Sequence, residues 1–195
     1  EDVSVRALIE QAEPQLMRDL ANAPAARGRI RATLAATFQE LGELERALAY
    51  YNAARADFVA AGTVGIEPEL VAVDAARVLL DTGRVREARQ QLDQLLAGSG
   101  DDASPGRLMA RLHLAVALAT LGENDAATTE FARGFELLGR ARTTACKPCL
   151  PQWAARAEVW ARARQSVLQV DVGEPHAALA SAELAVAIAK DALGE

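Results

Sequence analysis

Lysine is nearly missing from this chain. Of its 21 basic residues only Lys147 and Lys190 are lysines, the rest being arginine, and they face 27 acidic residues for a net charge of −6. An acidic balance of this kind argues against nucleic acid, whose binding depends on neutralising phosphates with Lys and Arg. Aromatic residues make up only 4% while half of the chain is apolar, mostly Ala, Leu and Val. That composition suits close helix packing better than a β-sandwich rich in aromatic and β-branched residues, and disfavours disorder. No stretch approaches the ~18 to 20 uncharged apolar residues needed to cross a bilayer, so direct membrane insertion is not expected. The chain opens at Glu1 with no Met, no basic lead and no apolar run, and so reads as an excised or processed segment. Its compartment stays open between the cytoplasm and, as part of a membrane-anchored protein, the periplasm.

Catalytic motifs are equally scarce. There is no nucleophile elbow, no phosphate loop and no paired-carboxylate motif, so the segment itself is not expected to be an enzyme, and no cofactor is implied. The chain has 2 histidines and 2 cysteines. His113 lies in the apolar run "RLHLAVALATLG" and His176 beside Pro175 near a helix start; both read as structural or exposed rather than catalytic. Cys146 and Cys149, in "TTACKPCLPQW", have the spacing of half a zinc site. Such a site needs four ligands, and the only other candidates are those two histidines, in separate segments, so no metal is expected. The same pair could be a thioredoxin-like redox motif, but no strand-helix-strand unit surrounds it. The remaining alternatives are a small-loop disulfide in an oxidising compartment or two ordinary thiols. Trp153 and Trp160, seven apart on one helix face, are expected in a core or a groove.

What is present in quantity is a repeat. The stretch "LGELERALAYYNAA", Leu41 to Ala54, returns in degraded form around Gly83, Gly122 and Gly173. Five residues after each of these glycines and Gly42 stands an alanine: Ala47, Ala88, Ala127 and Ala178. Nine after come Tyr51, Leu92, Phe131 and Ala182, and seven before come Ala35, Ala76, Ala115 and Ser166. A Gly can take left-handed backbone angles at a tight turn, small residues let two antiparallel helices approach, and a larger one fills the gap between hairpins. Leu95 and Gly134 stand where a small alanine is usual, and Gln169 stands where Phe38, Leu79 and Leu118 stand in the other copies, which offsets the first helix of the fourth copy by about one residue.

This pattern resembles the tetratricopeptide repeat (TPR), with turn intervals longer than the family's usual ~34 residues; in that respect it is similar to the long-helix arrays of kinesin light chain type. The resemblance implies an all-α, right-handed superhelical solenoid of about four helical hairpins. As one domain over residues 1–195, it would comprise a lead helix at 3–22 and repeats at 24–62, 66–98, 104–142 and 150–194. Pro14 should kink or split the lead helix; Ser104 and Pro105 should cap the third pair. The lead segment "VSVRALIEQAEPQLMRDLANAP" is similar to those introducing TPR arrays in bacterial serine/threonine kinases and winged-helix transcription regulators.

In stacked hairpins the first helix of each pair lines a concave groove. By the resemblance, the groove positions are Arg29 and Gln39 in the first repeat, with Ala32, Ala36 and Glu40; Leu70, Val73, Arg77 and Leu80 in the second, with Asp81; Met109, Leu112 and Val116 in the third, with Ala119 and Thr120; and Trp160 and Val167 in the fourth, with Ala163, Val170 and Asp171. Ala32 and Ala36 occupy the positions at which chaperone-binding relatives carry a carboxylate clamp, which argues against that role. A groove apolar in its middle and acidic at its exit suits an apolar or amphipathic protein or peptide segment carrying Arg or Lys. The expected function is a non-catalytic interaction, sensor or scaffold module of a larger signalling protein. The alternatives are a self-associating structural module, a homodimer through an apolar terminal repeat such as "ALASAELAVAIAKDALG", and a metal or redox site at the two cysteines. Arg55 and Glu130 are expected on outer helices: Arg55→Ala should be nearly silent for stability, and Glu130→Lys should weaken a partner much less than Leu112→Asp or Val116→Asp in the groove.

Overall fold

A computed structural model describes residues 5–97, 104–144 and 152–193. They form nine α-helices and no strand: α1 Val5–Asp19, α2 Pro24–Glu40, α3 Leu44–Ala60, α4 Ile66–Asp81, α5 Val85–Leu96, α6 Pro105–Thr120, α7 Asn124–Thr144, α8 Gln152–Asp171 and α9 Pro175–Leu193. Pro14 does not split the lead helix, since α1 runs through it. Cys146 and Cys149 lie outside the described residues. The contacts divide the chain into two compact units, Glu1–Val78 and Leu79–Glu195, with the boundary inside α4.

Five helices end in the same way, α3 at Gly62 and four others at the repeated glycine, which is the physical cause. Gly42, Gly83, Gly122 and Gly173 have φ of 76°, 75°, 79° and 84°. This left-handed residue turns the chain so that its own N–H and the next one satisfy carbonyls of the last helical turn. After α2, Gly42 N donates to Gln39 O at 3.0 Å and Glu43 N to Phe38 O at 2.8 Å. The same pair recurs as Gly122 to Ala119 with Glu123 to Leu118, and as Gly173 to Val170 with Glu174 to Gln169. Helix starts use other devices. Pro24 and Pro105 stand in the first turns of α2 and α6, where a missing N–H costs nothing, and Ser104 Oγ accepts the Arg107 N–H at 3.3 Å.

In the first unit α2 and α3 form a hairpin around Ala35, Phe38, Ala47, Tyr51, Ala54 and Phe58, all closed to solvent. Gly28 marks the closest approach, since a Cβ there would lie 3.3 Å from both Ala54 O and the Phe58 ring. Buried Asp57, near the end of α3, ties down the start of α2: its Oδ1 accepts from Arg27 at 2.6 Å and its Oδ2 from Arg31 at 2.7 Å. A buried carboxylate is tolerable when both oxygens are met by guanidinium donors.

In the second unit α6 is the central element, buried at ten of its sixteen positions and packed against α5, α7 and α8. Its Leu112 fits a notch made by Gly134 on α7, where a Cβ would lie 2.5 Å from Leu112 Cδ2. The glycine that breaks the small-alanine column is thus the complement of a leucine. Ala127, Phe131, Leu137 and Leu138 complete the α7 side of that core. The α8–α9 pair shows the one-residue offset: Leu168 is buried, while Gln169 is half-exposed and accepts a hydrogen bond from Ser181 Oγ at 2.8 Å.

Candidate functional site

The groove positions separate into three groups. Val73 and Leu112 are 3% and 0% exposed, so both belong to the core and are removed from the candidate surface. The physical reason for Leu112 is the Gly134 notch, which no column of a repeat alignment could reveal. The polar members of the first unit are exposed or half-exposed but already partnered. Arg29 pairs with Glu67 at 2.9 Å, and this contact depresses the Glu67 carboxyl below its usual range. Gln39 Oε1 accepts from Tyr51 Oη at 3.2 Å and from Arg77 at 3.1 Å, and Arg77 also pairs with Asp74 at 3.1 Å. These bonds join α2 to the start and middle of α4. Leu70 is partly exposed beside them, and Leu80 lies across the unit boundary on the same helix.

In the second unit the structure gathers Val116 and Val167 into one pocket of about 130 Å³ between α6, α7 and α8. Val116 and Ala119 supply the α6 wall, Phe131 the floor, and Val167 and Leu168 the α8 wall. Val167 is 56% exposed, so the pocket opens to solvent along its α8 side. Its polar rim consists of Thr120, Arg164 and Asp171. Thr120 Oγ1 donates to Val116 O at 2.8 Å, which fixes the hydroxyl. Arg164 and Asp171 are exposed and make no hydrogen bond or ion pair among the described residues. Arg164 was not among the groove positions, yet its signal is in the sequence: the residues three and four away on either side are Trp160, Ala161, Val167 and Leu168, none acidic.

The remaining expected site residues take structural roles. Trp160 stacks on His113 with ring centroids 4.4 Å apart, joining α8 to α6, and is not available as an aromatic platform. His113 is 3% exposed and its Nδ1 is 2.8 Å from Met109 O, so Met109 is held in this same helix contact. His176 is exposed at the start of α9. No group of three or more His, Cys, Asp or Glu with metal-binding geometry exists among the described residues, and no described helix is long and apolar enough to cross a membrane.

No protein-family model matches the chain, and no curated protein matches it. Among solved structures the fold is similar to BtubC (BKLC) from P. vanneervenii, with a TM-score of 0.68 at 15% identity over 97% of this chain and 76% of that one. It is also similar to MamA, with a TM-score of 0.57 at 12% identity over the whole of both chains. A weaker likeness, with a TM-score of 0.45 at 19% identity over 84% of this chain and 87% of the other, is to YrrB, described as a TPR protein with an unusual peptide-binding site. At these identities the likeness is one of fold alone, and it agrees with the all-α, tetratricopeptide-like helical hairpins of the described residues.

Proposed function

We propose that this chain is a non-catalytic protein-interaction module, acting as a sensor or recruiting element of a larger signalling protein, and that it seats an apolar side chain of a peptide or protein segment in the α6–α7–α8 pocket. The observation that carries this reading is the pocket itself: a cleft with apolar walls and Val167 on its open side, rimmed by two charges, Arg164 and Asp171, that make no hydrogen bond or ion pair among the described residues. An exposed apolar cleft with a few polar groups at its edge is the usual form of an anchor-residue site. The acidic net charge makes nucleic acid a poor ligand.

The test is a random-peptide display selection on the full chain, followed by affinity measurement on purified variants. Val167→Asp places a carboxylate on the pocket wall at an exposed position and should weaken selected peptides by ~10-fold or more, equivalent to at least ~1.4 kcal/mol. Glu183→Lys, at an exposed position on α9, serves as the comparison, with helix content and melting temperature recorded for both. Peptides that bind both variants alike would remove the pocket from consideration.

A second reading has its own observation. Leu179 and Val186, seven apart on α9, are 58% and 53% exposed, an apolar pair on one face that a second copy of the chain could cover.

A further inference from the structure

Most arginines in this protein are committed. Arg27 and Arg31 hold Asp57, Arg29 holds Glu67, Arg111 holds Glu130, and Arg162 pairs with Glu158 while lying over the Phe135 ring. Among the described residues Arg164, like Arg86 and Arg156, is exposed and makes no hydrogen bond or ion pair, and of the three it is the one on the rim of the α6–α7–α8 cleft. Asp171 occupies the other end of the same rim and also makes no hydrogen bond or ion pair among the described residues. The two are seven residues apart on α8, which at ~1.5 Å per residue is about 10.5 Å along the helix and close to two full turns. Both therefore face the same way, with Val167 and Leu168 between them.

Resting on the pocket reading above, the geometry points to a charge-ordered ligand. The segment that seats its apolar side chain between Val116 and Val167 carries a carboxylate that reaches Arg164 and a cation that reaches Asp171, one on each side of the apolar residue. An extended segment advances ~3.3 Å per residue, so a span of about 10.5 Å separates its acid and base by about three residues. A segment with acids on both sides meets Asp171 as a like charge, and one with bases on both sides meets Arg164. Either mismatch is unfavourable, so the rim selects by repulsion as well as by attraction. Arg suits this use, because its planar fork meets a carboxylate with two parallel hydrogen bonds. The open side of the pocket leaves room for either chain direction, so the order acid–apolar–base and its reverse are both accepted, each running oppositely along α8.

The same display selection tests this at a finer level. Enriched peptides should carry one acid and one base about three residues apart around a Leu, Ile, Val or Met. Their affinity should fall as salt is raised, since exposed charge pairs are screened beyond a Debye length of ~10 Å at 0.1 M. Arg164→Glu and Asp171→Arg should each weaken binding by ~5-fold or more, and the double exchange Arg164→Glu with Asp171→Arg should recover most of the loss, because the segment then enters in the opposite direction. Peptides that lose binding with Val167→Asp but show no charge bias, or that tolerate both single exchanges, would overturn this inference while leaving the pocket reading intact. Peptides indifferent to Val167→Asp, or no enrichment at all, would overturn both.

Discussion

The two tyrosines of the chain are adjacent on α3 but answer to different neighbours. Tyr51 is 1% exposed, donates to Gln39, and has its phenol pushed up to about 12, first by burial and then by the negative field of Asp74. Tyr50 stacks on Phe38 at 5.2 Å and is likewise raised to about 12, by burial and by a hydrogen bond with Glu13 from α1. In the unfolded chain both would lose their protons near the ordinary value of 10. A raised pKa in the fold means that the native state holds the proton longer, so stability is complete below pH 10 and declines as pH rises towards about 12. Phenolate absorbance should therefore appear later in the folded protein than in urea, and the melting temperature should drop within that window. A folded-state midpoint at the ordinary value would show that these rings are more open than the packing of α1, α3 and α4 implies.

Single helices show where repeat logic stops and local packing takes over. α7 holds two glycines with opposite surroundings: a Cβ at Gly134 would press on Leu112, whereas at Gly139 it meets nothing within 4 Å. Glycine in a helix interior costs ~1 kcal/mol relative to alanine. Gly139→Ala should stabilise the protein by about that amount and raise its melting temperature. Gly134→Ala gains the same propensity but displaces a fully buried leucine, an overpacking cost of ~1 to 3 kcal/mol, so it should melt at or below the parent. Both melts rising equally would mean that the α6–α7 contact is looser than described. Two residues assigned to outer helices are engaged with the fold: Glu130 accepts from buried Arg111 at 3.1 Å, and burial pushes the Arg55 guanidinium pKa down. A repeat assigns a residue to the outer helix, but it does not say what reaches across to it.

At the scale of the whole molecule, α9 carries an exposed apolar pair. Leu179 and Val186 are seven apart, hence on one face, and both are more than half exposed. If that face pairs with a second copy, the weight-average mass in sedimentation should rise with concentration, more so at higher salt, where the repulsion between two chains of net charge −6 is screened. Val186→Glu should return the protein to a monomer at every concentration. A parent chain that stays monomeric throughout would sink the self-association reading without touching the pocket.

The sequence by itself determined the helices, their hairpin turns and most of the core. A glycine every few tens of residues and alanines at fixed offsets are local, periodic signals, and local geometry needs no knowledge of distant residues: Ala47, Ala88 and Ala127 are all fully buried, and the turn glycines all have left-handed angles. The candidate site was legible only in part. Val116 and Val167 could be named from their columns, and Arg164 left a trace in its missing helical partners. That Leu112 and Val73 are enclosed, that Trp160 is spent on His113, and that Arg29, Gln39 and Arg77 are committed within the first unit was decided by the tertiary structure alone. The reason is physical. Whether a side chain faces a partner or a neighbour depends on contacts such as Arg29 with Glu67, 38 residues away, and no periodicity within a repeat encodes the other end of such a contact.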